Sequence, residues 1–446
     1  MKNKILLAFL VLSITGCMHA QTSNTGSSSS NADDIATFSA AKLYKLGETY
    51  SNDRQFPEAR RHWQALIDNY PDYGLVPRAL FGIGRSYMWE RQYLTAVEWF
   101  DRLVKNYADT KEGRDGLSYK GASYVRAGKN LEAAETYQQY VAMFPDGERI
   151  DSAYLNIIDA YREAGKYSEA NDWAGKTIER FAGTPTEANA VHAQLRMEIF
   201  RKNWPAAIKA ADELLALGSL RGSMASTDEA KYLKAFALEK SGKKADATRV
   251  FASITDGSFY GDLAEQRATK GGVKPTSRTR TASLYTSYPI KYEFDILKNA
   301  KKYNIDPRFL LAIMKQESAF RSSARSPAGA RGLLQLVYDT AIKYKDEAGY
   351  ANLQPDDLYA SSVNIAIGSI YISKLKGEFD NMYEAIAASY NAGEDNAARW
   401  LERTSPHDAG IFASEVGFSE TKNYVFKVMN NYRMYKHLYD ENLKRR

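Results

Sequence analysis

The chain has 446 residues, a formal net charge of +6 and a hydrophobic fraction of 44%, with 31 tyrosines. This length is too great for one hydrophobic core, so we expect two or more domains. The single cysteine excludes an internal disulfide, and the mild charge does not by itself indicate a nucleic acid or a membrane as the partner.

The N-terminal segment has the pattern of an export signal. Lys2 and Lys4 form a short basic region, and the apolar run that follows is too short to span a membrane as a stable helix. The sequence Ile-Thr-Gly-Cys ends at Cys17 and resembles the cleavage box of bacterial lipoproteins. An ordinary signal peptide with an incidental cysteine is the alternative. We predict a lipoprotein signal peptide over residues 1–16 and lipidation of Cys17.

A serine-rich stretch follows this signal, and we interpret residues 17–35 as a flexible tether. An exported chain with a lipid on Cys17 would lie in the bacterial cell envelope, bound to a membrane and facing the periplasm. Met18 stands where an Asp would signal retention in the inner membrane. The sequence therefore favours the outer membrane over the inner one.

Residues 36–257 contain an internal repeat with a period of 37 residues. Within each unit, apolar residues recur every three or four positions, as helices require. Three series show the period: Tyr50, Tyr87, Tyr124 and Tyr161; Ala59, Ala96, Ala133 and Ala170; Gly47, Gly84 and Gly121. The pattern resembles the tetratricopeptide repeat and predicts about six helical pairs stacked into a solenoid. Its surface could bind protein partners or could serve only as a spacer, and the sequence favours neither.

The composition changes again at residues 258–287, which are basic, short-sided and aperiodic around Gly271, Gly272 and Pro275. We predict a linker here. A nucleic-acid site is not favoured, because neither interleaved aromatic residues nor a binding-fold motif accompanies the basic residues. Residues 288–446 return to a helical pattern without repeats, which predicts a separate second domain.

This second domain has an acid on the apolar face of a helix. Asp306 suits the N-cap position and Pro307 the first helical position. Leu310, Ile313 and Glu317 then share one face, because they are spaced by three and four residues. Desolvation there would raise the pKa of Glu317 and keep it protonated near neutral pH, as a general acid requires. The spacing alone leaves a structural role at the helix end as the alternative.

A turn rich in small residues follows this helix. Pro327, Gly329 and Gly332 allow a tight turn and a close approach of the backbone to a ligand. Gln335 could place its amide in the same cleft. The turn therefore strengthens the interpretation of Glu317 as a functional residue.

Several ordered blocks resemble the soluble lytic transglycosylase family. The blocks are Glu317-Ser318 with Ser326; Gly329-Ala330-Arg331-Gly332-Leu333-Leu334-Gln335; Asn364-Ile365-Ala366-Ile367-Gly368 with Tyr371; Ala388-Ser389-Tyr390-Asn391-Ala392-Gly393; and the segment from Glu415 to Val425. The resemblance implies a lysozyme-like α domain. The complete fold prediction is all-α, with a tetratricopeptide-like solenoid followed by this domain.

The resemblance also implies a reaction and a set of site residues. Glu317 would act as the single acid and base that cleaves peptidoglycan glycan strands between N-acetylmuramic acid and N-acetylglucosamine, leaving a 1,6-anhydro product without hydrolysis. No metal or other cofactor is implied. The residues that would line the glycan cleft by family match are Ser326, Gln335, Tyr390, Asn391, Glu415 and Tyr424.

The sequence departs from the family pattern beside the site. Leu334 replaces the usual Met, Val337-Tyr338 replaces Met-Pro, Glu394-Asp395 replaces Pro-Gly, and Gly417 replaces Pro. The change at Leu334 conserves volume. We place the other three changes on loops and expect them to affect substrate specificity more than the reaction. Two alternatives stay open. A hydrolytic muramidase would need a second carboxylate, for which Glu415 and Glu394 are candidates, and a non-catalytic scaffold would only bind glycan.

Overall fold

A computed structural model describes residue 35, residues 37–269 and residues 281–446. The predicted signal peptide, the lipidation site Cys17 and nearly all of the tether lie outside the described residues. Within the described ranges the regular elements are helices, and three isolated β-bridges are the only extended pairing. The predicted all-α fold class is confirmed.

The helices of the first half of the chain are short and similar in length. In order they are α1 Ala40–Asn52, α2 Phe56–Asn69, α3 Val76–Trp89, α4 Tyr93–Tyr107, α5 Lys111–Arg126, α6 Asn130–Met143, α7 Ile150–Glu163, α8 Tyr167–Arg180, α9 Pro185–Phe200, α10 Trp204–Ala216, α11 Thr227–Lys240 and α12 Lys244–Phe251.

The helices of the remaining chain vary more in length. They are α13 Phe259–Thr269, α14 Thr281–Ser287, α15 Glu293–Tyr303, α16 Pro307–Ser318, α17 Tyr338–Ala341, α18 Lys345–Ala348, the 3₁₀ helix Pro355–Tyr359, α19 Ser361–Glu378, α20 Tyr383–Ala392, α21 Glu394–Glu402, α22 Ala409–Glu415 and α23 Ser419–Leu438.

The 37-residue period of the sequence is also the period of the helices. The second helix of each successive pair begins at residue 56, 93, 130, 167 and 204. The turn before it uses a left-handed backbone at Arg54, Arg91, Gly128, Gly165 and Lys202, which lie at the same interval. The four alanines of the predicted series, Ala59, Ala96, Ala133 and Ala170, are all 0% exposed. The residues that recur every 37 positions in the sequence therefore take equivalent positions in the packed helices.

Glycines of the repeat admit the aromatic residue of the partner helix. A Cβ atom at Gly47 would lie 2.4 Å from the ring of Trp63, and one at Gly84 would lie 2.6 Å from the ring of Phe100. Glycine thus lets the paired helices approach closely where the aromatic ring is inserted. These rings, with Tyr137 as the third, also recur every 37 residues.

The chain divides into two compact units between Ala193 and Gln194. The division lies inside α9 and upstream of the predicted boundary at residue 257, so helices α10 to α13 belong to the same unit as the C-terminal helices. The predicted linker also needs correction, because α13 and α14 occupy much of residues 258–287. Burial explains helix α13: its Tyr260 is 2% exposed, and the centroids of the Tyr260 and Phe426 rings are 5.7 Å apart.

The C-terminal part of the second unit is built around α16. Leu310, Ile313 and Met314 are 0% exposed at the centre of its hydrophobic core. Other helices contribute buried residues such as Ile365 from α19 and Val425 from α23. Burial on nearly every face explains why this helix is more apolar than an amphipathic surface helix.

A search of the described residues for a helix long and apolar enough to cross a bilayer finds none.

Candidate active site

Helix α16 begins at a well-satisfied cap. The Asp306 side chain accepts a hydrogen bond from the backbone N–H of Arg308 at 2.9 Å, and Pro307 occupies the first turn, as the sequence predicts. The same carboxylate accepts from the Tyr432 hydroxyl at 2.8 Å. These bonds tie the start of α16 to α23.

The other end of α16 is fixed by its last residue and by a left-handed turn. The Ser318 hydroxyl donates to the backbone oxygen of Leu333 at 2.8 Å, which joins the helix to the following loop. Ala319 then takes φ = 50° and ends the helix. Glu317 is thereby held in the final turn, on a backbone anchored on both sides.

The Glu317 carboxyl is partly buried and has one hydrogen-bond donor from α23. The Tyr424 hydroxyl donates to Oε1 of Glu317 at 2.6 Å. Burial raises the pKa of Glu317 to about 7, against the smaller lowering effect of the bond from Tyr424. Near neutral pH the group can therefore either donate or accept a proton, which is what general acid–base chemistry requires.

The loop after α16 is held by a buried amide. Asn364 is 0% exposed; its Oδ1 accepts from the N–H of Leu334 at 2.8 Å, and its Nδ2 donates to the backbone oxygens of Arg331 and Leu358 at 2.9 and 2.8 Å. Gly332 lies against this amide with φ = 78°, and a Cβ atom there would be 2.2 Å from the oxygen of Leu358. A glycine is therefore required at this position.

Ser326 and Gln335, two of the predicted cleft residues, lie on this loop. The Ser326 hydroxyl accepts from the N–H of Ala330 at 3.0 Å, which closes the turn. Gln335 has φ = 47°, and its amide nitrogen donates to the backbone oxygens of Ala324 and Gly332 at 3.1 and 2.8 Å. Backbone strain at a non-glycine residue is typical of functional sites.

Tyr390 and Asn391 approach from the end of α20. The Tyr390 hydroxyl donates to the backbone oxygen of Leu334 at 2.6 Å, and Oδ1 of Asn391 accepts from the Thr421 hydroxyl at 2.7 Å. Burial raises the pKa of Tyr390 well above its usual value, and the charge of Glu317 adds to this effect. The phenol therefore stays protonated beside the acid.

Two families of domains match the chain. Residues 295–411 match the Transglycosylase SLT domain. Residues 44–109 and 120–183 match the Tetratricopeptide repeat. Glu317, the loop and the α20 residues all fall inside the SLT segment, whereas Glu415 and Tyr424 lie beyond its end.

Curated relatives align with the C-terminal third of the chain. The soluble lytic murein transglycosylase of Escherichia coli K12 is 32% identical over 150 residues, which are 33% of this chain and 23% of the relative. The membrane-bound lytic murein transglycosylase C of Salmonella typhi is 28% identical over 167 residues, which are 33% of this chain and 46% of the relative. The chain thus spans under a quarter of the first relative and under half of the second.

A solved structure extends the likeness of fold beyond the SLT segment. An inactive mutant of the lytic transglycosylase Slt from Pseudomonas aeruginosa superposes with a TM-score of 0.54, covering 89% of this chain and 82% of that chain. The sequence identity is 17%, so the likeness concerns the fold alone.

Glu415 occupies a different environment from the one predicted. Its side chain is 0% exposed, and Oε2 lies 3.1 Å from Nη1 of Arg196. A ligand cannot reach a carboxylate that is fully enclosed and already paired. The structure therefore places Glu415 in the interior, paired with Arg196, and the predicted direct contact with substrate needs this correction.

Two of the departures from the family pattern include residues at helix starts rather than on loops. Glu394 begins α21, and its carboxylate accepts from the Tyr371 hydroxyl at 3.2 Å. Tyr338 begins α17, and its hydroxyl donates to the backbone oxygen of Leu353 at 2.9 Å. The loop placement expected for Glu394 and Tyr338 is thus wrong, whereas Val337 and Gly417 lie outside helices, as expected.

Sequence reasoning missed the contacts of several residues near the candidate site. Asn364 was recognisable only as part of a family block, and its three bonds to the loop backbone are invisible without the fold. Thr421 and Lys422 carry no sequence signal for their contacts, because their partners are remote in the chain. A polar residue inside an apolar helical run, as Asn364 is in α19, is the one usable hint.

Proposed function

We propose that this chain is a peptidoglycan lytic transglycosylase that cleaves the bond between N-acetylmuramic acid and N-acetylglucosamine and leaves a 1,6-anhydromuramoyl end. The observation that carries the proposal is the partly buried Glu317 carboxyl with a pKa of about 7, bonded at 2.6 Å by Tyr424. The SLT match over residues 295–411 and the lytic transglycosylases among the relatives support it.

Glu317 would perform both proton transfers. Protonated, it would donate to the glycosidic oxygen as that bond breaks. As the carboxylate, it would then accept the proton of the muramoyl C6 hydroxyl while that oxygen bonds to C1 and closes the anhydro ring. Atoms balance without water, since the proton lost to the leaving sugar is regained from the attacking hydroxyl. A pKa near the working pH suits both steps.

Tyr424 would steady the acid in both states. Its hydroxyl donates to Glu317 Oε1, which favours the carboxylate form over the protonated form. Because burial acts in the opposite direction, the two effects together bring the pKa to about 7. Ser326, Gln335, Tyr390 and Asn391 are proposed to line the glycan cleft. This assignment rests on the family blocks and, for Tyr390, on the effect of the nearby Glu317 charge.

The hydrolytic alternative finds little support in the surroundings of Glu317. A lysozyme-type hydrolase uses a second carboxylate near the acid, with spacing that decides between retention and inversion. Glu415 is enclosed and paired with Arg196, and Glu394 accepts from Tyr371. Neither candidate is thus a free carboxylate facing Glu317, which favours the reaction with an internal nucleophile.

Digestion of purified peptidoglycan followed by mass spectrometry tests the proposal. We expect soluble muropeptides that end in 1,6-anhydromuramic acid, and no such release by Glu317→Gln at equal concentration. Reducing muramic acid ends in place of anhydro ends would establish a hydrolase. Glycan pull-down without release of products by the wild-type chain would establish the binding scaffold.

We further propose that the protein is a lipoprotein of the cell envelope, held at the outer membrane by a lipid on Cys17. This rests on the sequence Ile-Thr-Gly-Cys and on Met18 after it. We expect Cys17→Ala to move the protein from the membrane fraction to the soluble fraction. Recovery of the variant in the membrane fraction, with unchanged mass, would refute the anchor. The repeat surface is a proposed site for protein partners.

A further inference from the structure

Helix α23 contributes to two different contacts from two opposite faces. Residues two apart on a helix are separated by about 200° around the axis, so Lys422 and Tyr424 point in opposite directions. Tyr424 donates to Glu317 on α16 at 2.6 Å. Lys422 contacts α11, far upstream in the sequence. Helix α23, which carries the hydrogen-bond donor to Glu317, is therefore also fixed on its opposite face.

The contact behind α23 is a buried ion pair. Nζ of Lys422 lies 2.8 Å from the carboxylate of Glu229, and the two side chains are 5% and 0% exposed. The same Nζ donates to the backbone oxygen of Met224 at 2.8 Å. Glu229 is in the first turn of α11, whose N-cap is Ser226. The ammonium thus has several oxygen partners in a dry environment, as a buried charge requires.

The same face of α23 continues to contact the upstream helices for two further turns and more. Phe426, four residues after Lys422, stacks on Phe259 of α13 with ring centroids 4.8 Å apart. Arg433, seven residues later, pairs with Asp262 of α13 at 2.5 Å. Residues at these spacings lie along one side of a helix. The upstream contact therefore extends over most of the length of α23.

A second buried pair holds the segment just before α23. Glu415, at the end of α22, pairs with Arg196 of α9 at 3.1 Å, with side chains 0% and 10% exposed. At the start of α22, Asp408 accepts from the Tyr232 hydroxyl at 3.1 Å. Both ends of α22 are thus attached to helices upstream of residue 257, in the same compact unit.

We propose that Glu229 and Lys422 are positioning residues for the reaction, which act by holding the first turn of α23 so that Tyr424 meets Glu317. This rests on the proposed function. Loss of one charge leaves the other buried without its counter-charge, and this cost is relieved when the helix end moves toward water or when the remaining group becomes neutral. A shift of about 1 Å at reacting groups can cost on the order of 10²-fold in rate.

The groups that face the two ends of this connection are few. Glu317 is faced by the phenols of Tyr424 on α23 and Tyr390 on α20. Lys422 is faced by Glu229, with the charges of Arg196 and Glu415 next to the pair, and the buried Tyr260 phenol of α13 bonds to Glu229. Since the Tyr424 bond lowers the pKa of Glu317, a displaced Tyr424 leaves that pKa higher.

The test compares Glu229→Gln, Lys422→Met and the apolar double variant Glu229→Leu/Lys422→Met. Glu213→Gln is the matched control. Glu213 pairs with Lys209 in the same unit, but this pair is exposed, with side chains 47% and 79% exposed. Turnover on peptidoglycan is measured across pH. Each single variant should lower kcat about tenfold or more and change KM less than about threefold. It should also shift the alkaline limb of the pH–rate profile to higher pH, and Tyr424→Phe should do the same, because the bond from Tyr424 lowers the pKa of Glu317.

The double variant distinguishes positioning from a loss of folding. With both charges removed, no unpaired charge remains, so kcat should recover to within about threefold of the wild type. The control should match the wild type in kcat and in pH profile. Single variants with the kcat and the pH profile of the wild type overturn the proposal. A double variant whose kcat is no higher than that of either single variant overturns it as well. If Glu229→Gln does not fold, Lys422→Met and the double variant decide alone.

Amide hydrogen exchange keeps this inference separate from the proposed function. If the wild-type chain releases no anhydro product, the proposed function fails, and the contact can still be tested. Exchange at residues 419–425 should then rise in both single variants and not in Glu213→Gln. Unchanged exchange in that turn would overturn the positioning role, whatever the activity.

Discussion

The two compact units bury different kinds of side chain. Up to Ala193 the buried positions hold aliphatic residues, small residues and aromatic rings, and ion pairs such as Arg78–Glu112 stay partly exposed, at 58% and 21%. From Gln194 onward, Lys422–Glu229 and Arg196–Glu415 are enclosed almost completely.

The first unit is built from repeated contacts, whereas the second also depends on contacts that occur once. An alanine or a ring at a 37-residue interval makes the same contact in every repeat, so one local pattern suffices for the whole array. Each charge of a buried ion pair needs its own specific partner, because any other arrangement leaves a charge in the interior without a counter-charge. The unit that carries Glu317 thus relies on contacts that are unique.

Replacement of the acid should have the largest effect of all. We expect Glu317→Gln to lower the release of muropeptides on the order of 10³-fold, because a carboxamide cannot shuttle the proton. Circular dichroism and thermal unfolding should show a folded protein. Retained turnover in a preparation free of other lytic enzymes would contradict the assignment of Glu317.

A methyl group at Gly332 should destabilise the second unit strongly. The added Cβ would lie 2.2 Å from the oxygen of Leu358 and 2.3 Å from Nδ2 of Asn364. We expect Gly332→Ala to lower the free energy of unfolding by about 3 kcal/mol, measured by denaturant unfolding. Gly329→Ala is the control, since φ is 79° there with no atom within 4 Å, and it should cost about 1 kcal/mol. Equal losses would show that only φ matters.

A methyl group between paired helices should destabilise the first unit by less. At Gly84 the added Cβ would lie 2.6 Å from the Phe100 ring, which is 0% exposed and has little room to move. We expect Gly84→Ala to cost about 2 kcal/mol. Gly175→Ala in α8, where no atom lies within 4 Å, should gain up to about 1 kcal/mol from helix propensity. A neutral result at Gly84 would weaken the account of close helix approach.

The most gradual effect expected is a pH dependence of rate and stability. With a pKa of about 7, ionised Glu317 cannot act as the acid, so kcat/KM should fall about tenfold per unit above that pH. The raised pKa also affects the free energy of unfolding. Its stabilising contribution is complete at pH values below 4.5, the ordinary pKa of a Glu, and is lost as the pH rises to about 7. Glu317→Gln should therefore gain stability relative to the wild type between pH 5 and pH 8. A constant difference would mean that burial does not perturb the acid.

Much of the fold followed from the sequence because its signals are local and periodic. The repeat gave the starts of second helices at intervals of 37 residues, and Asp306-Pro307 gave the start of α16. The raised pKa of Glu317 also followed from its place on an apolar face. The helical nature of residues 259–269 did not, because burial of Tyr260 against Phe426 outweighs a weak local pattern.

The sequence proposes the residues of the candidate site but not their contacts. Ser326, Gln335, Tyr390 and Asn391 were predicted from ordered blocks, and in the structure Tyr390 bonds to the loop after α16 and lies within the influence of the Glu317 charge. Glu415 belonged to such a block as well, yet it faces Arg196 in the interior. A block gives residue types in order, whereas the face on which a side chain emerges depends on packing.

By itself, the sequence determined the helical repeats, the helix that carries Glu317 and the tight turn after it, since each depends on residues a few positions apart. Only the tertiary structure decided which charges meet: Arg196 and Glu415 are 219 residues apart, and Glu229 and Lys422 are 193 apart. Such pairs leave no periodic trace in the chain. They form because the fold removes both groups from water at the same place, and each then requires the other.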